Sequence, residues 1–218
     1  MSDEVECLIG CDDKGNYSKI HAIEEELELT HRLAIARRHV GMDVFHGVLP
    51  ILAIIMGGII AAHSQEVFLV YEATLLGAFG TAIAFFVEGF WAAYLTEKAE
   101  GKKLIEELEK TDKSRLSHSV IVRAERETTL FIALLDGAVP SLTALITLTP
   151  MLLPLFGLLD YLGSFYLTIV MGFVVLNFLG IYYAIISEGS IAKNTVRALA
   201  AGVFTIAILV LVAILTGA

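Results

Sequence analysis

Charge is scarce in this chain. Of 218 residues, 18% are Asp, Glu, Lys or Arg and 56% are hydrophobic, where a soluble domain of this size carries about 25% charged residues. The deficit excludes an ordinary water-soluble globule and leaves little room for a separate soluble domain. Cysteine is nearly missing: Cys7 and Cys11 are the two present, and their C-x3-C spacing reads first as reduced thiols, with metal binding the weaker alternative. The first 40 residues contain no apolar stretch of the signal-peptide kind. The chain also lacks a nucleophile motif, an H-E-x-x-H and a Gly-rich phosphate loop, so nothing points to an enzyme or to a bound cofactor. A formal net charge of −9 disfavours nucleic acid as a partner.

What is present is long apolar runs. A bilayer core of about 30 Å takes roughly 20 apolar residues per helix, and five stretches qualify, near 44–62, 67–95, 130–154, 162–186 and 198–216. Basic residues lie before the first run, between the second and third, and between the fourth and fifth; the connections near His63–Glu66 and Phe156–Tyr161 have none. The positive-inside rule then places the N-terminus in the cytosol and the C-terminus outside. The expected fold is an all-α membrane protein with five transmembrane helices and membrane lipid around it. Its segments are a cytosolic tail with an amphipathic acidic helix (1–39), spans 1–2 (40–95), a short cytosolic acidic helical hairpin (96–128) and spans 3–5 (129–218).

Two pieces of the sequence repeat. Phe45-His46-Gly47-Val48-Leu49-Pro50 aligns with Leu135-Asp136-Gly137-Ala138-Val139-Pro140 at an offset of 90, and Glu88-Gly89-Phe90-Trp91-Ala92-Ala93 with Leu179-Gly180-Ile181-Tyr182-Tyr183-Ala184 at 91. Both hairpins start on the same side, so the repeat is parallel, about an axis along the membrane normal. Transporters commonly place their substrate site at such an interface, beside broken helices, and each repeat here opens with G-x-x-P next to a polar residue.

Ionisable residues converge in depth. Glu88 is ten residues from Lys98 and Asp136 ten from Arg126, each roughly 15 Å from its basic flank at about 1.5 Å per residue. His46, eight beyond Arg38, comes to about 12 Å. An acid deep in a bilayer costs about 2.5–3.5 kcal/mol on insertion scales. The bland account of Glu88 and Asp136 is a protonated acid bonded to a neighbouring helix; the functional one is a cation path, with Asp43, His46 and Met56 beside them. Asp43 otherwise neutralises Arg37 or Arg38, and Met56 otherwise fills a gap. Oxygen with imidazole suits hard or borderline divalent ions. A buried carboxyl holds its proton and a bound cation expels it, so one set of groups can carry protons one way and metal the other.

Outside the spans, Glu97, Glu100 and Glu107 continue the second apolar run into a charged helix and are candidates to gather metal. Glu106 and Glu109 pair at i,i+4 with Lys110 and Lys113, and Glu107 is four from Lys103. Glu28-x-x-His31 has the spacing that puts a carboxylate and an imidazole on one helix face; a solvated acidic helix is the plainer reading of 19–39.

These features together resemble the vacuolar iron transporter family, which includes manganese transporters. The resemblance covers roughly 37–216. Glu88-Gly89-Phe90-Trp91-Ala92-Ala93-Tyr94-Leu95 is similar to the end of the family's second span, Asp136-Gly137-Ala138-Val139-Pro140 to its third, and Gly180 through Ser187 to Arg197 and Gly202 to its fourth-to-fifth connection. Where the family's first span reads Asn-Asp-Gly, this chain reads Phe45-His46-Gly47, with Asp43 a turn earlier. The resemblance implies a homodimer in the cell membrane that moves Fe2+ or Mn2+ out of the cytosol in exchange for protons, with Glu88 in the metal path and Glu97 and Glu100 gathering metal. Two other readings stay open at this point: an intramembrane enzyme acting on a lipid-like substrate through His46 and an acid, and a scaffold subunit that transports nothing. The scaffold reading expects Glu88, Asp136 and His46 to face apart with no cavity between them.

Overall fold

The structure, a computed structural model, describes residues 32–111 and 118–217, with side chains over 39–103 and 129–217. The described residues contain five helices and no strand: α1 Arg32–Ala61, α2 Val67–Thr111, α3 His118–Leu148, α4 Tyr161–Ile186 and α5 Ile191–Thr216. All five are long and apolar enough to cross a membrane. The chain is built as a multi-pass membrane protein. Cys7, Cys11, Glu28 and His31 lie outside the described residues, as do the side chains of Glu106, Glu107 and Glu109.

Two expected boundaries dissolve. No break separates an amphipathic helix ending at 39 from the first span, because α1 runs continuously from Arg32 to Ala61; no proline stands between 32 and 49 to stop it. Likewise α2 continues for 45 residues, about 67 Å at 1.5 Å per residue, more than twice the ~30 Å apolar core. It therefore carries its Lys98–Thr111 end well beyond the span.

The four prolines behave in two ways. Pro50 and Pro140 sit inside unbroken α-helices. A proline has no N–H to give the carbonyl four residues back, so these two leave the carbonyls of His46 and Asp136 without their usual donors. Pro150 and Pro154 instead fall in a 3-10 segment, Thr149–Phe156, that follows α3 and ends at Gly157 with φ 69°. In a 3-10 turn the donor for the Met151 carbonyl is residue 154, a proline. The buried Tyr71 hydroxyl of α2 donates to that carbonyl instead, at 2.6 Å. Asp160 then starts α4 by accepting from the Gly163 N–H at 2.9 Å.

α1 is the central helix. One side packs Ile51, Ile55 and Ile59 against Tyr71, Phe85, Leu148 and Phe165, while the other packs Val48 and Leu52 against Leu176 and Leu179 of α4. α2 pairs with α3, and α1 contacts both α3 and α4. Exchanging α1 with α3 and α2 with α4 maps these pairings onto one another, as the sequence repeat requires. α5 leans on α4, where Gly180 faces Thr195 and Gly202 faces Leu176 and Phe173; its far end is bare, with Ile214 71% and Leu215 77% exposed.

α2 and α3 approach at backbone distance. A Cβ on Gly89 would meet the Asp136 carbonyl, and one on Gly137 would lie 2.7 Å from the Phe86 carbonyl. Neither neighbour is a side chain that can turn away. Gly89→Ala is expected to force the two helices apart, costing about 1–3 kcal/mol and lowering the thermal unfolding midpoint in detergent. Gly57→Ala, where a Cβ meets nothing within 4 Å, is expected not to lower that midpoint.

Candidate functional site

The helix crossing fixes the site. Glu88 and Asp136 each precede one of the interlocked glycines, so the contact of Gly89 with Gly137 brings the two acids to one level. α1 crosses alongside through Gly47, whose Cβ position is occupied by the Pro140 carbonyl and, at 2.9 Å, the Thr143 side chain. Small residues at crossings of this kind let membrane helices approach closely.

Between these three helices lies a cavity of about 190 Å3 lined by Asp43, His46, Phe85, Glu88, Gly89, Ala92, Ala93, Asp136 and Pro140. At roughly 30 Å3 per water, it has room for several waters or for a partly hydrated ion. The His46 ring meets the Phe85 ring edge-on, with centroids 4.9 Å apart and an interplanar angle of 79°, which fixes the imidazole at the wall. Asp43 lies close enough to Asp136 and His39 to interact with both, and its Oδ2 is buried with no hydrogen-bond partner. His46 and Glu88 are exposed in the single chain, so the cavity opens at the side where they stand.

No family model, no curated protein and no solved structure matches this chain.

The candidates named from sequence divide by position. Glu88, Asp136, Asp43 and His46 line the one cavity. Met56 does not: it packs against the apolar cluster around Ile55, Tyr71 and Phe165, ten residues beyond His46 and roughly 15 Å further along α1. Glu97, half-buried, and Glu100, exposed, lie nine and twelve residues beyond Glu88, about 14 and 18 Å along α2, and do not line the cavity. Thr143 and Thr147 turn back on their own helix, donating to the carbonyls of Val139 at 2.7 Å and Thr143 at 2.8 Å. Among the described residues no group of three or more His, Cys, Asp or Glu side chains stands close enough to hold a metal ion between them. The acids share one cavity but do not converge on a point.

One residue of the site was not singled out from sequence. His39, 38% exposed, places Nδ1 at 3.1 Å from both Oδ1 and Oδ2 of Asp136, whose side chain is 15% exposed. The signal for it was available: His39, Asp43 and His46 fall at i, i+4 and i+7, one face of a helix.

Chemically, the site offers carboxylates and imidazole together, in a space able to hold water. Groups of these kinds can bind cations and exchange protons. A cysteine introduced at Ala92, with Cys7 and Cys11 changed to serine, is expected to react with a membrane-impermeant methanethiosulfonate applied from the side of the N-terminus. A cysteine at Val87, on the outward face of the same helix, is expected to react far more slowly. Equal rates would mean that the cavity is not hydrated.

Proposed function

We propose that this protein is a secondary transporter, a remote member of the vacuolar iron transporter family, that moves Fe2+ or Mn2+ out of the cytosol in exchange for protons. The observation that carries this reading is the single cavity lined by Asp43, His46, Glu88 and Asp136 from three spans. Acids inside spans are costly, and gathering them around one aqueous space supports an ion path over a scaffold role, which expects them to point apart. Ions enter from the cytosolic, N-terminal side, where Glu97, Glu100 and Glu107 raise the local cation concentration. A partly hydrated ion then meets Glu88 and Asp136, and protons returning from outside displace it.

The transporter acts as a homodimer in the cell membrane. In the single chain α2 leaves Glu72 and Glu88 exposed, with Ala73, Gly77, Gly80 and Ala84 exposed between them. Carboxylates facing lipid are strongly disfavoured, while a stripe of small residues suits a second helix. A second copy seated on this stripe would lie beside Glu88 and close the open side of the cavity.

Two measurements test this. Glu88→Gln is expected to abolish proton-coupled Mn2+ and Fe2+ flux in proteoliposomes; undiminished coupled flux in that variant would sink the assignment. Gly80→Cys, in a background free of Cys7 and Cys11, is expected to form a disulfide-linked dimer in membranes. A chain that stays monomeric under oxidation would remove the dimer from the scheme.

A further inference from the structure

One acid of the cavity is already engaged. One ring nitrogen of His39 stands at 3.1 Å from each oxygen of Asp136. When Asp136 is the carboxylate that a cation would bind, it only accepts, and the donor of this contact is the His39 Nδ1–H. Equidistance from the two oxygens puts that N–H in the notch between them, the position a cation takes when a carboxylate binds it through both oxygens. His39 is not among the residues that line the cavity; it reaches Asp136 from one turn nearer the start of α1 than Asp43. Asp136 thus meets an imidazole from outside the cavity while lining it together with Glu88 and His46.

We infer that His39 is a latch, a positioning residue that fills the bidentate notch of Asp136 while no ion is bound and is displaced when an ion arrives. The inference rests on the transport reading and adds to it a residue that makes the empty state distinct from the loaded one. A deep carboxylate in a membrane needs a donor facing it. His39 supplies one between ions, so the empty protein does not have to hold Asp136 bare. The incoming cation takes over that place, which frees the His39 turn of α1 from α3. Loading is thereby coupled to the loosening of one helix end from another, the kind of two-state contact that alternating access requires.

A latch competes with the ion, whereas a ligand assists it, and the two have opposite signatures. Mn2+ binding to the detergent-solubilised full chain, measured by calorimetry, is expected to tighten roughly tenfold in His39→Ala, since a hydrogen bond to a charged group no longer has to be given up. The tightening should vanish when Asp136→Asn is added. Unchanged or weaker binding in His39→Ala, with the wild type binding normally, overturns the latch and leaves the transport reading standing. No Mn2+ binding by the wild type overturns the transport reading itself, and the latch with it. A second measurement needs no variant: carbethoxylation of His39 by diethyl pyrocarbonate, read by mass spectrometry, is expected to speed up when Mn2+ is added. Protection by Mn2+, or no change, would make His39 a ligand or a bystander and overturn the latch.

Discussion

The site depends on one contact, the backbone crossing of α2 and α3 at Gly89 and Gly137. Each glycine lies against a carbonyl of the other helix, Asp136 on one side and Phe86 on the other. Without side chains between them the helices meet at backbone distance, and the residues that immediately precede the two glycines are Glu88 and Asp136. The acids are therefore held at one level by the same atoms that hold the helices together. The separation of their backbones is fixed by that contact, so the cavity is a property of the crossing. α1 closes the third side through Gly47, again with a glycine against backbone.

Proline supplies a second constraint at the same level. Pro50 and Pro140 do not break their helices, but each leaves a carbonyl without a helical donor, and those carbonyls belong to His46 and Asp136. Both ionisable residues thus come with a backbone oxygen of unspent acceptor capacity. At the opposite end of the bundle the same deficiency has a purely structural answer, since the Tyr71 hydroxyl satisfies the Met151 carbonyl that Pro154 leaves open. One residue type gives reactive polarity at one end of the bundle and a fixed turn at the other.

Much of this arrangement could be read from the chain because depth in a membrane helix is a count of residues. Counting from the basic flanks put Glu88, Asp136 and His46 at one height, and all three line one cavity. What counting cannot supply is azimuth. Met56 belonged to the right helix yet turns into the apolar cluster, and His39 turns toward Asp136 although it sits at the edge of the span. A helix with apolar residues all round carries no moment to say which face looks inward. The i, i+4, i+7 alignment of His39, Asp43 and His46 was the one azimuthal cue on α1. The expected breaks also failed for a legible reason: prolines in membrane helices are tolerated where neighbours pack the freed backbone, and the close helix at Gly89 does that for Asp136.

The repeat has an asymmetric consequence. Under the offset that superposes the two hairpins, Glu88 corresponds to Leu179, which is 3% exposed in the apolar packing of α1 against α4. Glycine is kept at the matching positions, as Gly89 against α3 and Gly180 against Thr195 of α5, but the acid is kept in one. The counterpart groove between α1, α3 and α4 is walled by residues such as Val44, Ile146 and Phe178. Two equal halves would give the bundle two acidic grooves; here one carries the acids and its counterpart is apolar, so the cost of buried charge falls on one crossing while the other packs as an ordinary greasy seam.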